Sequence, residues 1–178
     1  MAISTIGSAG LTSPLPAANL GTPSAINLSN ATALPSAALP TGSVLQVVNA
    51  TYSTQTSTSS TTFADTGLTA TITPKFATSK ILVLINHTEC YRSAGNSNSS
   101  LLLNLCRNGS QIVQIAYSLG YTGTSLDQVF SFSSSYYDSP ATTSATTYKT
   151  QFKNSVAVSQ VVVQNNNTPS TITLLEIA

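Results

Sequence analysis

The only histidine in the chain, His87, is the first residue to test for chemistry. A catalytic serine or cysteine needs a general base beside it, and histidine is the usual one. His87 lies in residues 80–89, the most apolar run of the sequence, and no G-x-S-x-G motif offers a nucleophile on a sharp turn. We therefore predict a buried, hydrogen-bonded strand histidine and no catalytic residue.

A metal site is the second possibility. His87 and Glu89 are two residues apart, so they would share one face of a strand, and Cys90 and Cys106 are near in sequence. Structural zinc sites use four ligands, commonly with cysteines two to four residues apart, and that spacing is missing. The sequence predicts no metal and no other cofactor.

The two cysteines are predicted to be free thiols. If residues 80–91 and 100–107 form a hairpin, position 90 faces about position 102, which puts Cys106 about 13 Å further along the strand. A disulfide needs Cα atoms within about 7 Å. A sandwich in which these strands do not pair would remove the basis of this estimate.

Acid–base hydrolysis of sugars needs two facing carboxylates. No two acidic residues are close in sequence, although they could meet in space. Five tyrosines in the second half could stack on sugars, but half-exposed tyrosines on sheets more often pack or form interfaces. We expect no enzyme. The acids are Asp65, Glu89, Asp127, Asp138 and Glu176, and the tyrosines are Tyr117, Tyr121, Tyr136, Tyr137 and Tyr148.

Composition excludes further classes of partner. Only 6% of the residues are charged, the net charge is +1, and 41% are hydrophobic. Nucleic-acid binding needs clustered Lys and Arg, whereas the six basic residues are scattered. No apolar run of about 20 residues could span a membrane, and the N-terminus lacks the features of a secretion signal. We predict assembly in a reducing cytoplasm, with neither nucleic acid nor membrane as partner.

The elements that must position these residues are strands. Residues 44–51, 68–73, 101–106, 129–137 and 148–152 are rich in β-branched, aromatic or alternating residues, and residues 51–60 suggest an edge strand or a long loop. Residues 80–89 are predicted to be a central strand buried on both faces. Asn108-Gly109 predicts a two-residue hairpin turn, and residues 156–163 and 170–177 a closing pair. The fold class is all-β: a β-sandwich or jelly roll with an extended N-terminal arm.

Residues 1–42 differ from the rest and are predicted to form the arm, with residues 43–178 as the β-sandwich domain. The arm has most of the prolines, recurrent Leu and Ile, and not one charged side chain. Proline disfavours both long helices and central strands, and sparse apolar side chains cannot bury one another. We predict that the arm lies on a partner; a floppy tail is the alternative. The partner-binding residues are Leu20, Pro23, Ile26, Leu28, Leu34, Pro35, Leu39 and Pro40.

Several sequence segments resemble segments of phage virion proteins. Leu20-Gly-Thr-Pro-Ser-Ala-Ile-Asn-Leu-Ser-Asn-Ala-Thr-Ala-Leu-Pro is similar to a phrase of phage tail-fibre proteins. Gly42-Ser-Val-Leu-Gln-Val-Val, Phe63-Ala-Asp-Thr-Gly-Leu-Thr-Ala-Thr-Ile-Thr-Pro and Ser79-Lys-Ile-Leu-Val-Leu resemble a β-domain of phages of cyanobacteria and other aquatic bacteria. An L-x-R-x-G hairpin of that family matches Leu105-Cys-Arg-Asn-Gly. The resemblance covers most of residues 20–115 and implies a virion protein without catalytic residues.

Length favours one kind of virion protein. Tail fibres usually need a long shaft, whereas capsid decoration (cement) proteins are often trimeric β-sandwiches of this size with an extended arm. The resemblance therefore implies first a decoration protein that stabilises the head, as a homotrimer bound to the major capsid protein or another virion protein. A tail fibre or receptor-binding protein is the alternative, and a carbohydrate-binding module that recognises a host surface glycan is a further one.

Overall fold

The computed structural model describes residues 39–178, which form ten strands and one short 3-10 turn. The strands are β1 Val44–Tyr52, β2 Thr56–Thr58, β3 Ala64–Ile72, β4 Lys80–Arg92, β5 Leu101–Arg107, β6 Ser110–Leu119, β7 Gln128–Asp138, β8 Thr146–Asn154, β9 Val161–Val163 and β10 Ser170–Ile177. The 3-10 turn is Asn165–Asn167. No helix in this part of the chain is long and apolar enough to cross a membrane.

Two antiparallel sheets make up the fold. Sheet 1 has the order β1-β10-β4-β9-β2, with β7 paired to β4, and sheet 2 has the order β3-β8-β5-β6. β9 and β10 both run antiparallel to β4. β10 pairs with the first half of β4, from Lys80 to Asn86, and β9 pairs with its end, at Tyr91 and Arg92. β1 pairs with β10 and β2 with β9. β1 and β2 therefore act as one interrupted strand, and β9 and β10 act as another. Counted in this way, each sheet has four strand positions.

The order of these eight positions is that of a jelly roll. Only the β5–β6 connection stays within one sheet; every other connection between successive positions crosses from one sheet to the other. Jelly rolls wind a chain in this way so that both sheets grow together around one core. The predicted fold class is confirmed for the β domain, and the arm lies almost wholly outside the described residues.

Alternation of inward and outward side chains builds the core. β8 and β10 show buried residues at every second position, as expected for strands with one face on a core and one on solvent. The inward residues form two apolar clusters. One contains Leu68, Ile72, Ile81, Val83, Ile85, Leu105, Tyr148, Ile172 and Leu174, and the other Cys90, Leu101, Leu103, Phe152, Val161 and Val163.

The predicted hairpin turn is confirmed. Asn108 and Gly109 separate β5 from β6 and have φ values of 49° and 85°. Two positive φ values in a two-residue loop define the turn that matches the twist of paired strands. The Asn108 side chain also accepts a hydrogen bond from the backbone N–H of Thr147 at 2.9 Å, which ties the turn to β8.

Two strand predictions are wrong in detail. β4 is central, but it is not buried on both faces: its outward positions are partly open, and Leu84 is exposed. Residues 156–163 and 170–177 do not pair with each other, because β9 and β10 follow one another along the same side of β4. Left-handed backbone at Gln164, Asn166 and Asn167 explains the second error, since it lets the chain bulge out and return in the same direction.

A glycine fixes the bulge in β3. The β3–β8 register shifts between Asp65 and Thr69, and Gly67 within the shift has φ 87°. A Cβ atom placed on Gly67 would lie 2.2 Å from a ring carbon of Tyr52. Gly67 is thus required both by its backbone conformation and by the ring that packs against it.

We predict that Gly67→Ala lowers the free energy of unfolding by about 3 kcal/mol, because the left-handed strain adds to displacement of a packed ring. Gly109→Ala is the matched control: Gly109 has φ 85° but nothing within 4 Å of the added carbon, so about 1 kcal/mol is expected. Urea unfolding of both variants measures the difference. Equal losses would show that the Tyr52 contact does not matter.

Candidate functional site

The predicted partner-binding residues fall mostly outside the described chain. Leu20, Pro23, Ile26, Leu28, Leu34 and Pro35 precede residue 39, so their role stays a prediction. Leu39 is half-buried and Pro40 exposed, just before β1.

The C-terminal residue of the chain is hydrogen-bonded to the segment that leads into β1. The backbone N–H of Gly42 donates to the carbonyl of Ala178 at 3.0 Å, and the N–H of Ala178 donates to Ser43 at 2.9 Å. The chain therefore enters the domain at the end of sheet 1 where β10 finishes.

His87 is part of a polar layer inside the sandwich. Its Nε2 lies 3.1 Å from Thr150 Oγ1, and its Nδ1 lies 3.2 Å from Ser170 Oγ and 3.3 Å from Gln164 Nε2. Thr150 and Thr66 share a further hydrogen bond of 2.6 Å between their hydroxyls. All five side chains are buried, and along β4 and β8 they lie between the two apolar clusters.

His87 is neutral within this layer. A neutral imidazole donates through one ring nitrogen and accepts through the other, and Thr150, Ser170 and Gln164 offer partners of both kinds. Burial lowers the pKa of His87 from 6.5 to about 4. His87 is therefore neutral near pH 7, and it is the buried, hydrogen-bonded strand histidine that the sequence predicts.

The two cysteines lie in different sheets. Cys90 on β4 points into the core, whereas Cys106 on β5 is on the outer face of sheet 2, where its Sγ is 3.3 Å from Gln151 Oε1. Both thiols are free, as predicted, but the assumed β4–β5 hairpin is wrong. Burial raises the pKa of the Cys90 thiol to about 12, so it is no nucleophile at neutral pH.

The five carboxylates have separate sets of partners. Asp65 pairs with Lys149 at 2.7 Å, and Asp138 accepts from Arg107 at 2.8 Å and from the Tyr148 hydroxyl at 2.6 Å. Asp127 accepts from Tyr91 and the Ala94 backbone, Glu89 from Asn166, and Glu176 from Gln46 and the Lys75 backbone. Within residues 39–178 no group of three or more His, Cys, Asp or Glu could hold a metal ion.

Glu176 shows how these acids serve the fold. Its buried carboxylate accepts from Gln46 Nε2 at 2.6 Å and from the backbone N–H of Lys75 at 2.7 Å, which holds the β3–β4 loop. Burial by itself would raise the pKa of Glu176, but these hydrogen bonds outweigh it, and the pKa lies below its usual value.

The buried Arg92 organises the opposite end of the sandwich. Its guanidinium donates to the carbonyls of Ser99 at 3.1 Å and Thr124 at 2.8 Å, and to that of Leu126. These carbonyls belong to the β4–β5 and β6–β7 loops, and the Ser125 hydroxyl donates to Ala94 across the same gap. A scattered arginine gave no signal of this role in the sequence.

The tyrosines do not form one platform. Tyr148 is buried and Tyr136 half-buried, whereas Tyr117, Tyr121 and Tyr137 are exposed. Tyr117 is on β6 of sheet 2 and Tyr137 on β7 of sheet 1, so the cluster suggested by the sequence is divided between sheets.

The outer face of sheet 1 is a feature that sequence reasoning missed. Strand register aligns twelve of its outward residues in three rows across β1, β10, β4 and β7, and beyond the first row the next outward residues are Ile177 and Lys80. The first row is Val47, Leu175, Leu82 and Tyr137; the second is Asn49, Thr173, Leu84 and Ser135; the third is Thr51, Thr171, Asn86 and Ser133. An open groove of about 410 Å³ crosses the second and third rows. We call this surface the sheet 1 face.

Comparisons with known proteins give structural neighbours only. No protein-family model matches this sequence, and no curated protein sequence matches it either. Among solved structures, the chain is similar to that of infectious bursal disease virus Gt strain (16% identity, TM-score 0.38) and to the VP2 subviral particle of the same virus (16% identity, TM-score 0.40). The matches cover 76% of this chain and 39% and 38% of those chains, so this chain spans about two fifths of their length.

Proposed function

We propose that this protein is a non-enzymatic structural component of a virion, and more specifically a bacteriophage capsid decoration protein that works as a homotrimer. The observation that carries the proposal is that the charged side chains of the jelly roll contact other residues of the same domain. All six basic and five acidic side chains, together with His87, make contacts within the domain. Asp65, Lys75 and Asp127 stay exposed, but charged side chains are few and the rest of the surface is uncharged, which suits permanent subunit contacts more than catalysis.

The arm is proposed to attach the protein to the particle. In this proposal residues 1–42 bind the major capsid protein or another virion protein, and residues 43–178 form the domain that covers it. Each Leu or Ile buried on a partner contributes up to about 1.5–3 kcal/mol, less the entropy lost by ordering a flexible segment. Repetition on a symmetric particle adds avidity.

Deletion of residues 1–40 tests the arm. The remaining domain is expected to unfold cooperatively. It should bind particles from which this protein has been removed at least tenfold more weakly than the full chain does. Ile26→Ser, Leu28→Ser and Leu34→Ser together should have nearly the same effect, because they remove the apolar anchors without shortening the chain. Co-sedimentation with particles measures binding.

Ser24→Ala, Ser29→Ala and Ser36→Ala together form the matched control, since they change three arm residues and keep the anchors; binding should not fall. Equal rebinding by the truncated domain would place the docking surface on the β domain. Copy number tests the wider proposal: hundreds of copies on the head support decoration, and absence from particles would refute a virion role.

A tail fibre or receptor-binding protein is the second candidate. The loop end held by Arg92 favours it, because two exposed apolar side chains, Tyr121 and Leu126, stand on the β6–β7 loop. Loops that display an exposed aromatic side chain on a rigid sandwich are typical of recognition surfaces. A few copies per particle, located at the tail, together with binding of the purified chain to host surface glycan, would support this candidate over decoration.

A further inference from the structure

The two sides of the sandwich differ in how closely the sheets approach each other. On one side β1 packs against β3, whose inward residues are all buried. On the other side the outermost strands are β6 and β7, and within residues 39–178 these two strands make no comparable contact. We call the opening between them the β6–β7 gap. The apolar side chains that reach the core clusters from this gap are only half-buried, namely Ile112, Ile115, Leu119, Phe130, Phe132 and Tyr136.

Both strands at the gap are free edges. Among the strands of the described domain, β6 pairs only with β5 and β7 only with β4. Natural sheets protect such edges with charged side chains, proline or bulges. Neither strand contains proline, and their only charged residue is Asp138, which is buried at the end of β7 and paired with Arg107.

Of the two edges, β7 is the better template for a further strand. The register of β6 against β5 shifts three times, whereas β7 pairs with β4 without a break from Phe132 to Asp138. A regular edge presents a row of N–H and C=O groups, and an extended peptide adds to such an edge as one more strand. A strand added to β7 would also cover the half-buried side chains of the gap.

The sequence contains a segment with the properties of that peptide. Residues 24–34 lie between Pro23 and Pro35, are uncharged, and match the 11 residues of β7 in length. Larger side chains alternate with Ala, Asn and Ser, as expected for a strand with one buried face. The segment precedes the described residues, so this strand is a prediction from the sequence. The larger side chains are Ile26, Leu28, Thr32 and Leu34.

We infer that residues 24–34 of one copy of this chain add as a strand to β7 of a second copy and insert their larger side chains into its β6–β7 gap. Neither the segment nor the edge carries a charge that would have to be buried without a partner. Their polar positions also correspond. Asn30 stands in the middle of the apolar face of the segment, as Ser134 stands between Phe132 and Tyr136, and an amide and a hydroxyl can hydrogen-bond.

The place where the arm joins the domain favours a neighbouring copy as the acceptor. Residue 39 lies just before β1, and β1 and β7 are the opposite edges of sheet 1, three strand spacings of about 4.8 Å apart. An arm that leaves at one edge and an acceptor at the other edge make a head-to-tail contact, which closes into a ring of identical subunits. A ring of three copies is the homotrimer of the proposed function.

The inference rests on the proposed function only for the role of the arm as the attachment segment. It names a second copy as the virion protein that residues 24–34 bind and leaves residues 1–22 for the rest of the particle. The two proposals fail separately. The mass of the purified chain tests the exchange of arms without particles, whereas absence of the protein from particles refutes the virion role alone.

The test is the mass of the full-length chain in solution, measured by light scattering and sedimentation at about 1–100 µM, a range around common interface affinities. Ser134→Lys places a charge on the inward side of β7, which is one way in which natural edges prevent pairing. We expect this variant to have about one third of the unsubstituted mass, with association weakened at least about 100-fold. Ser135→Lys is the matched control: Ser135 is the next residue of β7 and is exposed on the outer face, so the mass should not change.

A mixture of two variants shows whether the arm and the edge meet. Ile26→Lys with Leu28→Lys disables the arm segment and keeps the edge, whereas Ser134→Lys disables the edge and keeps the arm. Each variant should be monomeric by itself, and an equimolar mixture should form particles of twice the monomer mass, because one working arm meets one working edge. Asn27→Lys with Ser29→Lys charges the alternate positions of the segment and should keep the full mass.

Thermal unfolding checks that every variant is folded. The inference is wrong if the unsubstituted chain is monomeric throughout this range, or if Ser134→Lys keeps the full mass. It is also wrong if Ser135→Lys dissociates as readily as Ser134→Lys, or if the two monomeric variants do not pair when they are mixed.

Discussion

Arg92→Met is expected to lower the free energy of unfolding by about 3–4 kcal/mol. Methionine fills much of the same volume but donates no hydrogen bond, so the carbonyls of Ser99, Thr124 and Leu126 lose their donor. A buried polar group left unpaired costs about 1–3 kcal/mol, and water can reach part of this loop end. Urea unfolding measures the loss.

Two controls separate the hydrogen bonds from the charge. Arg92→Lys keeps the positive charge, but one ammonium group cannot reproduce the planar fork that reaches three carbonyls, so it should recover less than half of the lost stability. Lys153→Met removes a cation that lies 4.8 Å from the Phe63 ring centroid and should cost less than about 1 kcal/mol. A small effect of Arg92→Met, equal to that of Lys153→Met, would contradict the proposed role of Arg92.

Hydrogen exchange adds a local readout. Amides of residues 93–100 and 120–127 should exchange faster in Arg92→Met, because their two loops are joined through the guanidinium. Amides of the Asn108-Gly109 hairpin, at the other end of β5, should be unaffected.

Acidification from pH 7 to pH 5 is expected to destabilise the domain through His87. In the unfolded chain His87 takes up a proton near pH 6.5, whereas in the folded domain its pKa is about 4. The unfolded state therefore binds more protons in this window, and the free energy of unfolding falls as the pH falls. At about 1.36 kcal/mol per pH unit, the loss is about 2 kcal/mol by pH 5 and about 3 kcal/mol by pH 4.

Between pH 7 and pH 5, the expected change in the free energy of unfolding comes from His87. Asp65 and Glu176 have lowered pKa values, so the stability that they contribute is present above their unfolded pKa and is lost only at lower pH. His87 is the one histidine of the chain. His87→Gln should be less stable at pH 7 and lose almost nothing more between pH 7 and pH 5. A slope that persists in His87→Gln would assign the acid sensitivity to another group.

The sequence by itself determined the fold class of the β domain. Strand alternation and the turn at Asn108-Gly109 follow local rules, because side chains alternate every two residues and a two-residue hairpin needs positive φ. The environment of His87 was also predictable, since an apolar strand holds a histidine only when its nitrogens are paired. The separate arm rests on composition alone, and its role stays a prediction.

Only the tertiary structure decided which strands are neighbours. The sequence predicted that the segments of β9 and β10 pair with each other, because hairpins are the commonest connection. Three left-handed residues instead carry the chain along the same side of β4. The misplaced cysteines have the same cause, since β4 and β5 lie in different sheets. Long-range pairing leaves almost no mark on local sequence.

The sites depend on that pairing even more strongly. The three carbonyls of Arg92 come from two loops, the polar layer around His87 takes residues from both sheets, and the sheet 1 face takes each row from four strands. Each residue in these groups looks ordinary in its own segment. What makes them a site is the register between distant strands, and register is fixed only when the two sheets close over a common core.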